Sequence, residues 1–245
     1  MVRDITLKDL MMINIKINTQ PDDETCGPTC LHAIYKHYGY DISLKEVVKT
    51  VKRSASGGTL APYLGVHALE RGFTASILIN NMDIFDPSWF EHSEPSVNLS
   101  VKLAEQLKYK HNEGIKQSSL AYQDFLAAGG IIKFKFLSVE LLREYFSYNL
   151  PLITGLSATY LYNSPREIYE NKTSKFDDIR GTPCGHFVII AGFDEIHNQI
   201  VVVDPHRENP LSRNNYYSVS SHRLINAILM GMITYDANLL IIQPK

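Results

Sequence analysis

The segment Gln20-Pro-Asp-Asp-Glu-Thr-Cys26-Gly-Pro-Thr-Cys30-Leu31 decides how the rest of the chain is interpreted. Proline fits the first turn of a helix, where its missing N–H costs nothing, so Pro28 places a helix start near Cys26. The unpaired N–H groups at a helix N-terminus favour negative charge, which predicts a reactive thiolate at Cys26. Apolar residues with helical spacing follow, and Gly39 is placed to end the helix: Leu31, Ile34, Tyr35 and Tyr38.

A thiolate nucleophile needs a base, and the segment Gly185-His186-Phe-Val-Ile-Ile-Ala-Gly192 offers one at the start of a strongly apolar strand. The next predicted strand, from Ile200 to Val203, ends in Asp204. If the two strands form a hairpin with Phe193 roughly opposite Ile200, Asp204 comes opposite His186 or close to it. A carboxylate in that place orients the imidazole and stabilises its charged form.

Gln20, six residues before Cys-Gly-Pro-Thr-Cys, followed by a distant Gly-His and a later Val-Asp-Pro, resembles the papain clan of cysteine peptidases. More narrowly, the chain resembles the C39 group, the bacterial bacteriocin-leader-processing (double-glycine) peptidases and their stand-alone relatives. The resemblance implies that Cys26 is the nucleophile, His186 the base and Asp204 the orienting carboxylate. It also implies that Gln20 donates to the oxyanion beside the backbone N–H of Cys26.

The resemblance covers residues 13–80 and 130–242, and residues 81–130 and 158–183 look like insertions. We therefore expect a single papain-like domain over residues 1–245. Leader peptidases of this group are usually fused to membrane and ATPase parts of a transporter. Because this sequence shows neither, leader cleavage is not carried over to it.

Five further residues are predicted to contact substrate, because they flank the cysteine or the histidine or belong to the charged stretch before the histidine. They are Gly27, Asp178, Arg180, Cys184 and Gly185. The plain alternative for the charged stretch, residues 166–181, is a solvated loop. The pair Tyr216-Tyr217 is more typical of ordinary packing than of a binding site.

A metal site is the main alternative for the cysteines. Cys30 follows Cys26 by one helical turn, so core packing is its expected role. Cys26, Cys30, Cys184 and His186 provide a Cys₃His set of the kind that binds zinc, although the Cys184-x-His186 spacing is tight for two ligands on one strand. We expect no metal and no cofactor, since thiol chemistry of this kind needs neither.

Composition narrows the class of protein. The 245 residues carry a formal net charge of −2 with acids and bases mixed, so neither a nucleic-acid surface nor a membrane-binding basic cluster is expected. Met1 to Leu10 lacks the apolar run of a signal peptide, and no apolar run is long enough for a transmembrane helix. Three cysteines do not suggest a disulfide scaffold, which favours a reducing compartment and a cytoplasmic location.

Hydrophobic periodicity predicts helices early and strands late, and therefore an α+β fold of the papain-like cysteine peptidase type. The N-terminal helical part would pack on a mainly antiparallel sheet. Helices are expected from residue 26, over 43–51 with a capping box at Ser43, over 59–71, within 96–126 and from Ser138. Strands are expected over 13–17, 73–80, 131–137, 150–154, 187–193, 200–203 and 239–242.

The expected reaction is cleavage of a peptide or isopeptide bond through a thioester on Cys26. Two alternatives remain open from the sequence. One is a papain-fold acyltransferase or transpeptidase with an amine acceptor, and the other is a catalytically idle binding protein or zinc-holding domain on the same fold. The expected partner is a peptide or peptide-like substrate, and the oligomeric state is not predicted.

Overall fold

The first part of the fold is a short strand followed by three helices and a longer strand. The computed structural model describes residues 10–54, 57–170 and 173–245. In chain order the first elements are β1 (Leu10–Met12), α1 (Cys26–His37), α2 (Leu44–Thr50), α3 (Ala61–Leu69) and β2 (Phe73–Ile79). The segment between β1 and β2 is thus helical, as predicted.

The middle of the chain is mainly helical and the last third mainly strands. The middle contains a 3₁₀ turn (Pro87–Trp89), β3 (Phe90–Glu91), β4 (Glu94–Pro95), α4 (Leu99–Gln106), α5 (Glu113–Ala127), β5 (Ile131–Phe134), α6 (Val139–Ser147), β6 (Leu152–Ser157) and α7 (Ala158–Tyr162). The last third contains β7 (Glu167–Glu170), β8 (Thr173–Phe176), β9 (Gly185–Asp194), β10 (Gln199–Val203), β11 (Tyr216–Ser220), α8 (Ser221–Met230), a 3₁₀ turn (Gly231–Thr234) and β12 (Asn238–Pro244).

One large sheet organises these elements. Its eight strands run in the order β11-β10-β9-β6-β12-β2-β5, with β1 also paired to β9. The pair β2–β5 is parallel, whereas the other paired strands of this sheet are antiparallel. The pairs β3–β4 and β7–β8 are separate two-stranded hairpins. The predicted α+β fold with a mainly antiparallel sheet is confirmed.

Helix α1 packs directly on strand β9. Its apolar residues Leu31, Ile34 and Tyr35 are at most 1% exposed and belong to the same hydrophobic core as Val188 and Ile190 of β9. Removing this much apolar surface from water is the main stabilising contribution to the contact. The packing fixes the first turn of α1 against the strand whose first residues are Gly185 and His186.

The predicted serine caps of α2 and α6 and the predicted glycine after α1 are confirmed. Ser43 accepts a hydrogen bond from the backbone N–H of Glu46 at 3.2 Å and so caps α2. Ser138 caps α6 in the same way through Leu141, also at 3.2 Å. Gly39 follows α1 with a φ of +72°, a conformation that a residue without a Cβ adopts readily.

The predicted strand over residues 13–17 is wrong, because the hydrogen-bonded strand β1 lies just before it at Leu10–Met12. Ile13 and Ile15 are buried, as their alternation implies. Alternation reports which side chains face the core, not which backbone groups join the sheet. The charged stretch from residue 166 contains the β7–β8 hairpin. The alternative of a solvated loop is therefore wrong for this part of the stretch.

Within the described residues, no helix combines the length and apolarity needed to cross a membrane. The predicted lack of a signal peptide rests mainly on residues 1–9, which lie outside the described residues.

Candidate active site

Cys26 is the first residue of α1, as the sequence predicts, and it is half-buried. The Thr25 side chain does not cap the helix, because its hydroxyl donates to the carbonyl of Asp22 at 3.0 Å. Pro28 has no N–H, so Cys26 and Gly27 carry the first-turn amides that the helix's own carbonyls cannot satisfy. This end of the helix therefore presents positive partial charge next to the thiol.

The β9–β10 hairpin brings Asp204 to His186. Phe193 pairs with Ile200, as predicted, but the register shifts between Val201 and Val202, leaving Ala191 as an extra residue in β9. Without this bulge, continued pairing would put Asp204 opposite a residue whose side chain faces away from that of His186. With it, Asp204 reaches the face of His186, and His186 Nε2 lies 2.8 Å from Asp204 Oδ1.

Four donors surround the buried Asp204 carboxylate. Besides His186, Oδ1 accepts the backbone N–H of His206 at 2.8 Å. Oδ2 accepts the hydroxyls of Tyr162 and Tyr217, each at 2.7 Å. Asp204 has no solvent exposure, and a buried charge of this kind is stable only when such partners replace its lost hydration.

The electrostatics favour a charged histidine. Burial alone lowers the pKa of His186, but the Asp204 carboxylate and a hydrogen bond to Cys26 outweigh it and raise the pKa to about 10. Burial likewise tends to raise the pKa of Asp204, while His186 and the two tyrosine hydroxyls hold it below its ordinary value. The two groups therefore stabilise each other as an ion pair. With Nε2 bonded to Asp204, Nδ1 is the ring nitrogen left for the thiol.

The other two cysteines are held as neutral thiols. Cys30 is completely buried beneath Cys26, and burial raises its pKa well above the ordinary value. Burial, followed by the nearby Glu167 carboxylate, also raises the pKa of Cys184 strongly. The expected packing role of Cys30 is confirmed by its burial in the core.

Gln20 lies beside the site, held by a backbone hydrogen bond to Pro205 at 2.9 Å. Its side-chain Nε2 donates to the Asp22 carbonyl at 2.8 Å, and its Oε1 is buried without a hydrogen-bond partner. An amide nitrogen carries two hydrogens. One N–H of Gln20 is therefore in use within the loop.

Two cavities meet at the cysteine and the histidine. A cleft of about 300 Å³, which we call the histidine cleft, is lined by Gln20, Asp23, Tyr162, Glu167, Phe176, Cys184, Gly185, His186, His206 and Glu208, among others. A cleft of about 780 Å³, the cysteine cleft, is lined by residues that include Asp23, Glu24, Cys26, Thr59, Glu113, Ser118, Gly185 and Asp236. Asp23 and Gly185 belong to both, so the two clefts are adjacent, and we call them together the groove.

The predicted substrate-binding residues divide into two sets. Gly185 lines both clefts, Cys184 lines the histidine cleft, and Gly27 is buried behind Cys26. Asp178 and Arg180 are not among the described residues that line either cleft. Arg180 is exposed and donates from Nε to Asp177 at 2.7 Å. A substrate contact by these two charged residues remains a prediction.

The β7–β8 hairpin forms one wall of the histidine cleft through Glu167, Ser174 and Phe176. It is tied to the loop before Cys26, because Ser174 donates its backbone N–H to Asp23 at 3.2 Å and the Tyr169 hydroxyl donates to Glu24. The charged stretch is therefore a cleft wall and not a free loop.

Sequence reasoning missed Tyr162 and Tyr217 as partners of Asp204, and it treated Tyr217 as ordinary packing. No local pattern marks either residue, since both reach Asp204 from other elements. His206 was also passed over. It lies two residues after Asp204, and its ring is 6.3 Å from that of His186; the Asp-Pro-His run was the available signal.

Among the residues that the structure describes, no group of three or more His, Cys, Asp or Glu side chains is arranged to hold a metal ion. The four residues of the zinc alternative thus do not form such a group here.

Solved structures with similar folds span nearly the whole chain. A C39-like peptidase from Bacillus anthracis has a TM-score of 0.51 at 13% identity, with 96% of this chain and 98% of that chain covered. The peptidase domain of Streptococcus ComA, a bi-functional ABC transporter involved in quorum sensing, has a TM-score of 0.44 at 14% identity, with coverage of 95% and 100%. Xylellain, a cysteine protease from Xylella fastidiosa, has a TM-score of 0.44 at 12% identity, with coverage of 98% and 87%.

No curated protein sequence matches the chain significantly. A family model does match, over residues 12–224, a range that begins at the end of β1 and ends within α8. The matched range includes the start of α1, the β9–β10 hairpin and Asp204. Since most of the sequence and the fold agree with this family, the chain belongs to the Peptidase_C39 like family.

Proposed function

We propose that this chain is a cysteine peptidase that cleaves a peptide or isopeptide bond, with Cys26 as nucleophile, His186 as base and Asp204 as the group that orients His186. The Cys26 thiolate attacks the carbonyl carbon and forms a tetrahedral intermediate. His186 protonates the leaving amine as the C–N bond breaks, leaving a thioester on Cys26. A water molecule, deprotonated by His186, then attacks the thioester and releases the acid and the thiolate.

The position of His186 between Cys26 and Asp204 is the observation that carries this proposal. The hydrogen bond from His186 to Asp204 is 2.8 Å long, and the interaction with Cys26 raises the pKa of His186 further. The positive charge of the imidazolium favours the thiolate, and so does the positive partial charge at the N-terminus of the helix. Cys30 and Cys184, whose thiols burial keeps protonated, are unsuited to this role.

The oxyanion of the tetrahedral intermediate would be held by two donors. One is the first-turn N–H of Cys26, and the other is the second amide N–H of Gln20. Donors fixed before the reaction starts stabilise the developing charge without reorganisation. The hydrogen bond from Gln20 to the Asp22 carbonyl contributes by holding the amide in one orientation.

The two adjacent clefts, of about 300 Å³ and 780 Å³, suit a peptide whose residues on the two sides of the scissile bond occupy one cleft each. The middle segment belongs to the same site, since Glu113, Gln117 and Ser118 from this part of the chain line the cysteine cleft. We accordingly treat residues 1–245 as one catalytic domain in which residues 81–130 and 158–183 are insertions that build cleft walls.

Peptide cleavage by the purified protein tests the proposal. A mixed peptide library, analysed by mass spectrometry, should show cleavage that is abolished in Cys26→Ala and retained in the matched variant Cys30→Ala. An amine added as a second acceptor separates hydrolysis from acyl transfer, because the product is then an amide instead of an acid. Cleavage that survives in Cys26→Ala, or its absence from the wild type, would contradict the proposal.

A further inference from the structure

Asp236 is a buried carboxyl group in the wall of the cysteine cleft. Only 5% of the residue is exposed, and its Oδ1 has no hydrogen-bond partner. Its Oδ2 has a long contact of 3.5 Å with the Thr234 hydroxyl. Among the described residues, no lysine, arginine or histidine forms an ion pair with it. Burying an unpaired carboxyl group costs free energy, and the described contacts of Asp236 do not offset that cost.

Two glycines make room for this carboxyl beside the reactive pair. A Cβ on Gly155 would lie 2.6 Å from Asp236 Cγ, and a Cβ on Gly185 would lie 3.4 Å from Asp236 Oδ2. Gly185 directly precedes His186 and lines both clefts. The space that side chains on β6 and β9 would occupy is thus given to a carboxyl group next to the proposed base.

Three neighbouring residues also bury polar atoms that lack hydrogen-bond partners. They are Ser118 Oγ, Tyr122 Oη, and both amide atoms of Asn238. Tyr122 is close enough to Asp236 and Asn238 for both to act on the pKa of its hydroxyl, and Ser118 lines the same cleft as Asp236. Buried polar groups are normally paired, so the unpaired oxygens of Asp236 and Ser118, both in the wall of the cysteine cleft, indicate a place for a polar ligand group.

The charge of the groove gives the sign of that ligand. Four carboxyl groups line the cysteine cleft, and the described lining residues include no lysine, arginine or histidine: Asp23, Glu24, Glu113 and Asp236. The histidine cleft adds Glu167 and Glu208. Burial raises the pKa of Asp236 to about 8, and a cation bound beside it would favour the ionised carboxylate.

We propose that the cysteine cleft selects substrates by an ammonium group, which binds Asp236 in the wall of the cleft, with Ser118 as an additional polar contact. The N–H donors of an ammonium group match these oxygen acceptors. The group is that of a lysine side chain near the scissile bond, or the free N-terminus of the peptide. This inference rests on the proposed function, because it assigns the substrate of that same groove.

Peptide binding to the Cys26→Ala variant tests the inference without requiring turnover. Matched peptides carry lysine or the uncharged norleucine at one position, each with a free or an acetylated N-terminus, and affinity is measured by calorimetry. We expect the peptide with an ammonium group to bind at least about tenfold more tightly than its uncharged partner. The preference should disappear in Cys26→Ala/Asp236→Asn and persist in Cys26→Ala/Asp83→Asn, whose exposed carboxyl lies outside both clefts.

The comparison of two peptides within one variant cancels any fraction of unfolded protein. Equal affinities for the charged and uncharged peptides, or a preference that survives Asp236→Asn, would overturn the inference. Acetylation identifies the source of the ammonium group. Tight binding of the norleucine peptide that is lost on acetylation assigns the N-terminus, and tight binding of the acetylated lysine peptide assigns the lysine side chain. A preference for the lysine peptide in a protein that cleaves no peptide would contradict the proposed function and still support the ammonium site.

Discussion

The carboxylate of Asp204 shows how a single buried charge is maintained in this site. Its two oxygens accept four hydrogen bonds, from His186, the His206 backbone, Tyr162 and Tyr217. Two of these donors are hydroxyls that neither titrate near neutral pH nor carry charge. Asp204 therefore remains negatively charged and stabilises the positive charge of His186, which the proposed mechanism uses.

Removing one hydroxyl tests this arrangement at the residue scale. Tyr217→Phe keeps the ring and deletes one donor to Asp204, which should lower the free energy of unfolding by about 1 to 3 kcal/mol at pH 7. The pKa of Asp204 lies below its ordinary value, so this stabilisation is present above the ordinary carboxyl pKa and is lost as the pH falls through the folded-state value. Urea unfolding at pH 7 and pH 3 measures it.

Tyr162→Phe is the matched variant, because it removes the second donor to the same oxygen. The two variants should show similar losses at pH 7 that shrink toward pH 3. An equal loss at both pH values would mean that the tyrosines contribute only packing.

Single residues were predictable from sequence where a local motif or a strand end marked them, and not elsewhere. Cys26 precedes a Gly-Pro helix start, and Asp204 ends an apolar strand. Tyr162 and Asp236 belong to segments far along the chain from Cys26 and carry no local pattern. Their positions depend on the sheet order and on the space left by Gly155 and Gly185, which the sequence does not display.

At the scale of elements, the first turn of α1 sits tightly against its neighbours. A Cβ on Gly27 would lie 2.4 Å from Thr59 Cγ2, 3.2 Å from Phe187 Cδ2 and 3.3 Å from Leu64 Cδ1. Gly27 was predicted to leave a backbone N–H open to substrate. The packing adds a second requirement, because a side chain there would push the helix start away from β9.

Gly27→Ala should therefore destabilise the protein by about 1 to 3 kcal/mol through overpacking. Thr59→Ser removes the clashing methyl group and retains the hydroxyl, which donates to the Lys52 carbonyl at 2.9 Å. The double variant Gly27→Ala/Thr59→Ser should recover most of the loss. Urea unfolding of the four proteins measures the coupling, and the absence of any recovery would show that the close contact with Thr59 is not the cause.

Elements with strong periodicity were predicted well, including α1, α2, β9 and β10. The β-bulge at Val201–Val202 was not, although it decides which face Asp204 occupies. A bulge depends on the pairing of two strands and leaves no mark in either sequence. The β7–β8 hairpin was missed because its residues are polar, so neither face shows an apolar alternation.

At the scale of the molecule, the buried Asp236 should make stability depend on pH. Its folded-state pKa of about 8 lies above the ordinary carboxyl value, so the folded protein holds the proton more tightly than the unfolded chain does. Its contribution is favourable below the ordinary value and is lost as the pH rises through about 8. Asp236→Asn should then melt at least about 3 °C above the wild type at pH 8.5.

The difference between the two melting temperatures should shrink toward pH 4, close to the ordinary carboxyl pKa, where ionisation no longer favours the unfolded chain appreciably. His186 and Asp204 titrate in both proteins and cancel in the comparison. A difference that is the same at pH 4 and pH 8.5 would contradict the assignment of an unpaired buried carboxyl.

The whole groove is assembled from parts that are distant in the sequence. Helix α1 supplies Cys26, β9 supplies His186, α5 supplies Ser118, and the end of the chain supplies Asp236. The sequence predicted the fold class, and it indicated the two residues of the proposed reactive pair. It did not predict the acidic lining of the groove, because that lining exists only after these four parts meet.

The most direct test of the central claim is the alkylation of Cys26 by iodoacetamide across pH, with the modified sites mapped by mass spectrometry. A thiolate paired with His186 predicts selective labelling of Cys26 over Cys30 and Cys184, whose thiols burial keeps protonated. His186→Ala should lower the rate at pH 6 by at least about tenfold, while the exposed His222→Ala control should not. Labelling that does not favour Cys26, or a rate that is the same in His186→Ala, would contradict the thiolate–imidazolium pair and the peptidase mechanism built on it.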